Sequence, residues 1–221
     1  MSIWKRTKYV LALTLFISAS YFAIQNLVTT HVVDFLLPID KEIPFIPEFV
    51  WVYNTLLPML MLSSIFLIKN RTTFLTAALS FFTAAMVLNM FYILLPSFYP
   101  REPFEVTSIS TWLLEITKQI DGSNNTFPSG HVALSWLLFL NVLQTKFAEN
   151  KPLIKVFFFL WSSSISISTL VLKQHYIVDV AGGIVLAVLC FWASKKYIKN
   201  NPAVITAGSN KMPTGLPQLA E

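Results

Sequence analysis

Two histidines in the chain stand in contexts that favour catalysis. His175 is followed four residues later by Asp179, and side chains with this spacing share one face of a helix. The carboxylate can then accept a hydrogen bond from one imidazole nitrogen, which makes the other nitrogen a better base or nucleophile. An ion pair that only holds helices together is the alternative, although a lone carboxylate in an apolar span is costly and favours a functional role.

His131 ends a tetrapeptide with the features of an anion-binding helix start, Pro128-Ser129-Gly130-His131. Ser129 can cap the helix, and Gly130 lets backbone N–H groups approach a ligand. His131 would then lie beside any anion that binds there. The alternative is an ordinary N-cap followed by an interfacial histidine.

Nearby basic side chains could complete an anion site. Arg101 could clamp a phosphate through two parallel hydrogen bonds, or it could be a surface charge. Lys118 and Lys173 are further candidates of the same kind. His31 has no partner in the sequence and is interpreted as an ordinary interfacial residue. Because no cysteine or glutamate stands near the histidines in a zinc-site pattern, we expect neither a metal nor another cofactor.

The composition indicates an integral membrane protein. Of the 221 residues, 55% are hydrophobic and only 12% are charged, whereas soluble domains carry about 25% charged residues. This composition excludes a disordered chain and a nucleic-acid-binding arm. The single cysteine, Cys190, excludes an intramolecular disulfide.

Apolar stretches predict an all-α fold, a six-transmembrane-helix bundle, because a span takes about 20 apolar residues. The first stretch could be a cleaved signal peptide, but its apolar run is long and we expect a retained helix. Residues 1–199 are interpreted as one membrane domain with core motifs at 96–183, and residues 200–221 as a disordered cytoplasmic tail. The six stretches are 9–29, 50–68, 73–95, 129–146, 152–172 and 176–194.

Lysine and arginine are unequally distributed between the two sides of this predicted bundle, and the positive-inside rule places the richer side and both termini in the cytoplasm. Loops 30–49, 96–128 and 173–175 then face outward, and the apolar spacing between 104 and 120 predicts an amphipathic helix on the membrane surface. The basic clusters are topology signals and lipid-headgroup contacts, so no nucleic-acid partner is expected. The richer side carries twelve basic residues, Lys5, Arg6, Lys8, Lys69, Arg71, Lys146, Lys151, Lys155, Lys195, Lys196, Lys199 and Lys211, and the other side carries Lys41, Arg101, Lys118 and Lys173.

Both histidines therefore belong to the same side of the membrane. A histidine backed by an aspartate suits nucleophilic attack on phosphorus, and a second histidine suits protonation of the leaving oxygen. Arg101 and the N–H groups around Ser129 and Gly130 would hold the phosphoryl oxygens. This chemistry needs no metal.

At these residues the chain resembles the type 2 phosphatidic acid phosphatase (PAP2) superfamily of membrane lipid phosphatases. Of that family's three motifs, Pro-Ser-Gly-His is intact at 128–131. The motif Ser-Arg-x5-His-x3-Asp has the right spacing, but Thr169 replaces its arginine. The motif Lys-x6-Arg-Pro is degraded, because Leu94 stands at the lysine position and Glu102 separates Arg101 from the proline.

The segment from 125 to 133, together with the residues around His175, more closely resembles the branch of inositol-phosphorylceramide synthases and related bacterial proteins. The resemblance implies that His175 forms a phosphohistidine intermediate, that Asp179 orients it and that His131 is the general acid. It also implies phosphate binding by Arg101, Ser129 and Gly130, and Lys173 would replace one missing charge.

The favoured function is metal-independent hydrolysis of a lipid phosphate ester at the outer leaflet, as in a lipid phosphatase acting on a phosphoric monoester or pyrophosphate. The missing Lys and Arg of the motifs argue against a compact, highly charged monoester. Two alternatives stay open: phosphotransfer to an alcohol acceptor, and a non-catalytic lipid-phosphate binder. The expected partners are the lipid substrate and the bilayer, with no prediction of oligomeric state, and the short loops favour a bacterial inner membrane.

Overall fold

The structure, a computed structural model, describes residues 1–28 and 33–206 as an all-α bundle. Within these ranges the chain forms helices, turns and two isolated β-bridges, but no strand. His31 and residues 207–221 of the predicted tail lie outside the described residues. The helices are α1 (Ile3–Leu27), α2 (Val50–Tyr53), α3 (Leu56–Phe66), α4 (Arg71–Leu94), α5 (Ile109–Asp121), α6 (Gly130–Val142), α7 (Lys146–Glu149), α8 (Pro152–Val171), α9 (Ile177–Asn200) and α10 (Pro202–Thr206), with short 3-10 turns at Pro38–Lys41 and Pro47–Phe49.

Five helical segments in the described part of the chain are long and apolar enough to span a membrane, in agreement with five of the six predicted stretches. Their outer faces carry exposed leucine, phenylalanine and tryptophan side chains, which is the composition that lipid contact requires. The five segments are Ile3–Leu27, Pro47–Phe66, Arg71–Leu94, Pro152–Val171 and Ile177–Asn200.

The sixth predicted span, 129–146, is not confirmed. Its helix α6 has 13 residues and ends at Val142, so it is about 20 Å long, whereas the hydrocarbon core is about 30 Å thick. Helix α6 packs against α3, α4, α8 and α9, and it is therefore surrounded by protein. A helix that is surrounded by protein is apolar on all sides. The composition of α6 therefore resembles that of a helix that crosses the membrane.

Helix α5 occupies the predicted surface segment. Ser108 caps it by accepting a hydrogen bond from the Thr111 N–H. Leu114 is fully buried, whereas the apolar side chains Ile109 and Trp112 are exposed. The amphipathic placement on a membrane surface stays a prediction, with these exposed side chains as the ones that would contact lipid.

The segments predicted to face outward gather at one end of the bundle, which we call the site end. The Asn124 side chain donates to the Val28 carbonyl at the end of α1, with an N–O distance of 3.1 Å. The Ile46 N–H donates to the Val171 carbonyl at the end of α8, at 2.9 Å. The first residues of α6 and α9 lie at this end too. The side of the membrane that the site end faces stays a prediction.

At the site end, α9 approaches α6 closely because residue 183 is a glycine. A Cβ atom at Gly183 would lie 2.7 Å from the Ser129 carbonyl oxygen and 3.0 Å from the Val132 Cβ. Both neighbours belong to the first turn of α6, which is packed on several sides and has little room to move. Gly183 thus sets the distance between the two helices that carry the histidines.

Gly183→Ala should destabilise the protein by about 1–3 kcal/mol, because the added methyl group overpacks the α6–α9 contact. Thermal unfolding of the purified protein in detergent measures this effect. Val185→Ala is the matched control, since Val185 is exposed on the same helix and its truncation should change the melting temperature little. An unchanged melting temperature for Gly183→Ala would contradict the close approach.

Candidate active site

Asp179, in the first turn of α9, orients His175. Its carboxylate is fully buried, and Oδ2 lies 3.4 Å from His175 Nδ1. The same oxygen accepts a hydrogen bond from the Tyr176 N–H at 2.9 Å, so its position is fixed by the backbone. A carboxylate is favourable at a helix N-terminus. With Nδ1 facing the carboxylate, Nε2 of His175 is the nitrogen left for chemistry.

The turn between α8 and α9 brings His175 to this position. The Gln174 and His175 N–H groups both donate to the Thr169 carbonyl, at 3.0 and 3.2 Å. Lys173 takes a left-handed conformation with φ 55°, which is the usual way to end a helix. Its position in this turn directs Gln174 and His175 back towards the bundle, and both are buried.

The first turn of α6 is attached directly to the first turn of α9. The Ser129 N–H donates to the Asp179 carbonyl at 3.0 Å, and the Tyr92 hydroxyl donates to the Pro128 carbonyl at 3.1 Å. Ser129 is fully buried and its N–H is already used, so its predicted contact with phosphate gains no support. Gly130 and His131 follow it in the first turn, where N–H groups have no acceptor within the helix.

His131 has two partners that the sequence did not identify. Its ring stacks on Tyr53, with ring centroids 4.0 Å apart, and its Nδ1 lies 3.2 Å from the Tyr53 hydroxyl oxygen. That hydroxyl donates to Asp121 Oδ2 at 2.5 Å, and the same oxygen lies 3.9 Å from His131 Nε2. These three residues are far apart in the chain or unrelated by helical spacing, so no sequence pattern connects them.

Arg101 reaches the site through Gln174. Its guanidinium donates to the Gln174 side-chain oxygen. Burial lowers the pKa of Arg101, while the nearby Tyr53 and Asp121 act in the opposite direction, and a guanidinium remains charged in proteins. Arg101 is therefore a permanent positive charge beside the cavity that His175 lines.

The two candidate lysines have other contacts. The Lys173 ammonium donates to the Asp40 carbonyl at 3.0 Å, and it holds the loop before α2 in place. The Lys118 ammonium lies 4.7 Å from the centre of the Phe104 ring and 5.5 Å from that of Phe45. Neither geometry supports the prediction that a lysine contacts the phosphate.

One cavity of about 330 Å³ joins the two histidines and continues along the bundle. Its polar end includes His131, His175 and Gln174, and its walls are mostly apolar. It reaches Tyr9 near the start of α1 and Phe74 near the start of α4, at the other end of the bundle. The lining residues from α1, α3 and α4 include Val10, Leu13, Ile17, Phe22, Leu56, Leu57, Leu60, Phe74, Ala77, Ala78, Phe81, Ala85 and Leu88.

The described residues form an all-α bundle that has helices of spanning length and a buried histidine–aspartate pair at one end, which is compatible with an integral membrane protein. A family model, the PAP2 superfamily, matches residues 71–203, which is more than half of the chain and includes both histidines. The chain belongs to the PAP2 superfamily, as the sequence motifs predicted. Membership implies a phosphatase-type enzyme. No curated protein and no solved structure matches the chain.

We predict that Lys118 deprotonates at an unusually low pH. Burial, and secondly the charge of Arg101, lower the pKa of Lys118 to about 8, so its amine should become reactive as the pH rises through 8. Labelling by acetic anhydride, read by mass spectrometry across a pH series, measures this titration. In Arg101→Gln the midpoint should move upwards, because one cause of the shift is gone. A midpoint near the ordinary value of about 10.4 in the unmodified protein would contradict the burial of this amine.

Proposed function

We propose that the protein hydrolyses a phosphate ester of a membrane lipid through a phosphohistidine on His175. The observation that carries the proposal is the double role of Asp179. Its carboxylate contacts His175 Nδ1, and its carbonyl accepts the Ser129 N–H that fixes the helix start bearing His131. One buried residue thus positions a nucleophile and a candidate acid around the same cavity.

The reaction has two steps in this proposal. His175 Nε2 attacks phosphorus, a P–N bond forms, the P–O bond to the lipid alcohol breaks, and His131 gives a proton to the leaving oxygen. Burial lowers the pKa of His131 to about 4, so in this proposal His131 takes up that proton when the anionic phosphate binds beside it, because a nearby negative charge favours the imidazolium form. His131, now neutral, takes a proton from water as that water attacks phosphorus and releases His175. Arg101 and the first-turn N–H groups of Gly130 and His131 hold the phosphoryl oxygens, and no step uses a metal.

The apolar length of the cavity supports a lipid as the substrate. From Tyr9 to Phe22 the α1 wall of the cavity extends over 14 residues, or about 20 Å of helix. A hydrocarbon chain placed there would bury apolar surface while its phosphate stays beside the histidines. The unequal distribution of lysine and arginine supports an extracytoplasmic site, at the outer leaflet of a membrane such as a bacterial inner membrane.

Transfer of the phosphoryl group to an alcohol is the second candidate function. It shares the first step and differs in the second, where an alcohol replaces water. A smaller cavity of about 120 Å³ adjoins His131, and its lining combines Leu56, Leu57 and Ile120 with the polar side chains of Asp121, Asn54 and Thr117, which could bind the hydroxyl group of an alcohol. The resemblance to the branch of inositol-phosphorylceramide synthases also favours transfer to an alcohol. Adding polyols to the assay and measuring transfer product against free phosphate distinguishes the two candidates.

His175→Ala should abolish turnover and phosphoenzyme formation, because it removes the nitrogen that forms the P–N bond in this proposal. His131→Ala should slow release of a lipid alcohol by about 10²- to 10⁴-fold. It should have a much smaller effect on the release of nitrophenol from a nitrophenyl ester in a single turnover, because that leaving group needs no proton in the first step. Phosphate release by the purified protein and trapping of acid-labile, base-stable phosphoenzyme measure both effects.

The third histidine provides the matched control for this experiment. His31→Ala should retain wild-type turnover with every substrate. Full activity in His175→Ala would remove the nucleophile assignment, and equal losses of His131→Ala in single-turnover release of both leaving groups would remove the acid assignment. Vanadate should inhibit an enzyme that forms a pentacoordinate phosphorus, whereas a lipid-phosphate binder has no turnover to inhibit.

Ala78→Trp should obstruct the apolar cavity, because Ala78 is part of its α4 wall. We expect KM for a long-chain lipid phosphate to rise at least tenfold, while a short-chain soluble ester is hydrolysed normally. Ala19→Trp is the control, since Ala19 is exposed on α1 and should tolerate the larger side chain. Equal effects of Ala78→Trp on long and short substrates would contradict a chain site in this cavity.

A further inference from the structure

Among the described residues, three buried N–H donors at the site have no hydrogen-bond partner. They are Gln174 Nε2, Asn125 Nδ2 and Arg101 Nε. Burying a donor without a partner is unfavourable, and native proteins rarely do so without a reason. Gln174 and Asn125 both line the cavity that contains His131 and His175. Unpaired donors beside a candidate nucleophile indicate a ligand that accepts hydrogen bonds.

The orientation of the Gln174 amide follows from its neighbour. Arginine only donates hydrogen bonds, so the oxygen of Gln174 must be the atom that faces Arg101. The NH₂ group then points away from Arg101. Gln174 is 3% exposed, and its backbone is fixed by the Thr169 carbonyl at 3.0 Å. Its two side-chain hydrogens are therefore held in place, with no acceptor in the part of the chain that the structure describes.

Asn125 is the second residue with an unpaired amide. It is 3% exposed and adopts a left-handed conformation with φ 62°, which asparagine tolerates better than most residues. It lies three residues before Pro128, at the entrance to α6. Its amide nitrogen is thus a second buried donor, contributed by a different segment from Gln174.

The charges around the cavity favour a ligand with few negative charges. Arg101 is positive, whereas Asp121 lies 3.9 Å from His131 Nε2 and Asp179 lies 3.4 Å from His175 Nδ1. Lys173 is occupied at the Asp40 carbonyl. A phosphomonoester carries a charge of about −1.5 to −2 at pH 7, and the buried carboxylate of Asp179 together with the partly exposed one of Asp121 would repel it. A phosphodiester carries only one charge.

We propose that Gln174 and Asn125 bind the substrate's phosphoryl oxygens through their neutral amide groups, and that the site selects a singly charged phosphodiester of a lipid over a phosphomonoester. Amide donors satisfy phosphoryl oxygens without adding the positive charge that a dianion requires. This inference rests on the proposed function and adds the substrate class. With a diester, the P–N bond to His175 forms as one P–O bond breaks, His131 protonates the departing oxygen, and the second ester stays on phosphorus.

Two lipids with the same acyl chains, phosphatidic acid and phosphatidylmethanol, provide the matched substrates. We expect the full-length wild-type protein in detergent micelles at pH 8 to turn over the diester with at least tenfold higher kcat/KM. We also expect the His175→Ala variant to bind the diester more tightly in calorimetry. Preferential turnover and binding of the monoester would overturn the proposal.

Gln174→Glu tests the donor, because it keeps an oxygen for Arg101 and replaces the NH₂ group with an acceptor. We expect a roughly 10- to 100-fold loss of diester affinity, as for other hydrogen bonds to charged groups. Asn125→Gly removes the second amide at a position where glycine accepts the positive φ, with a similar expected loss. Gln119→Glu makes the same chemical change at an exposed residue of α5 and should leave affinity unchanged.

Calorimetry on the inactive variant separates failure of this inference from failure of the proposed function. If His175→Ala turns over lipid at the wild-type rate, the proposed nucleophile is wrong, and the binding preference still tests the amide donors. Gln174→Glu and Asn125→Gly are each also introduced into the His175→Ala variant. If His175→Ala is inactive but these double variants bind the diester as tightly as His175→Ala does, the assignment of Gln174 and Asn125 as phosphate-binding donors is wrong. Melting temperatures within a few degrees of the parent establish that the variants compared are folded.

Discussion

The hydrogen bond from the Ser129 N–H to the Asp179 carbonyl is the contact on which the site depends. It joins the first turn of α6 to the first turn of α9 at an N–O distance of 3.0 Å. His131 follows Ser129 by two residues and His175 precedes Asp179 by four, so one backbone bond fixes the relation between the two histidines. The absence of a side chain at Gly183 permits this contact.

The same region combines several buried polar groups in a small volume, which is costly unless each has a partner. One carboxylate oxygen of Asp179 accepts a hydrogen bond from the Tyr176 N–H, and the Asp121 carboxylate accepts one from the Tyr53 hydroxyl. In a membrane bundle these charges also act in a low dielectric, where each affects its neighbours strongly. The charged side chains at the site therefore restrict the charge of the ligand more strongly than the same side chains would in water.

The shortness of α6 has a structural consequence. Because the helix is about 20 Å long and surrounded by α3, α4, α8 and α9, its N-terminus is held inside the bundle by the longer helices. The histidine-lined end of the cavity is continuous with apolar walls that extend towards the opposite end. One cavity can thus bind a phosphate at its polar end and a hydrocarbon chain along its apolar remainder, and this division supports a lipid substrate.

Local patterns in the sequence determined the helical class, five of the spanning segments and the motif residues His131, His175 and Asp179. Helical spacing and hydropathy depend on residues close together in the chain, so they can be read directly from it. The family motifs identified the superfamily for the same reason. Lys173 shows the limit of this reasoning, because proximity to His175 in sequence did not predict its bond to the Asp40 carbonyl.

Only the tertiary structure decided the length and burial of α6, the pairing of His131 with Tyr53 and Asp121, and the convergence of Gln174 and Asn125 on one cavity. These features arise from contacts between segments separated by tens of residues, for which the sequence contains no periodicity or spacing. Composition could not distinguish a helix facing lipid from one enclosed by other helices, since both environments exclude water and select the same apolar side chains.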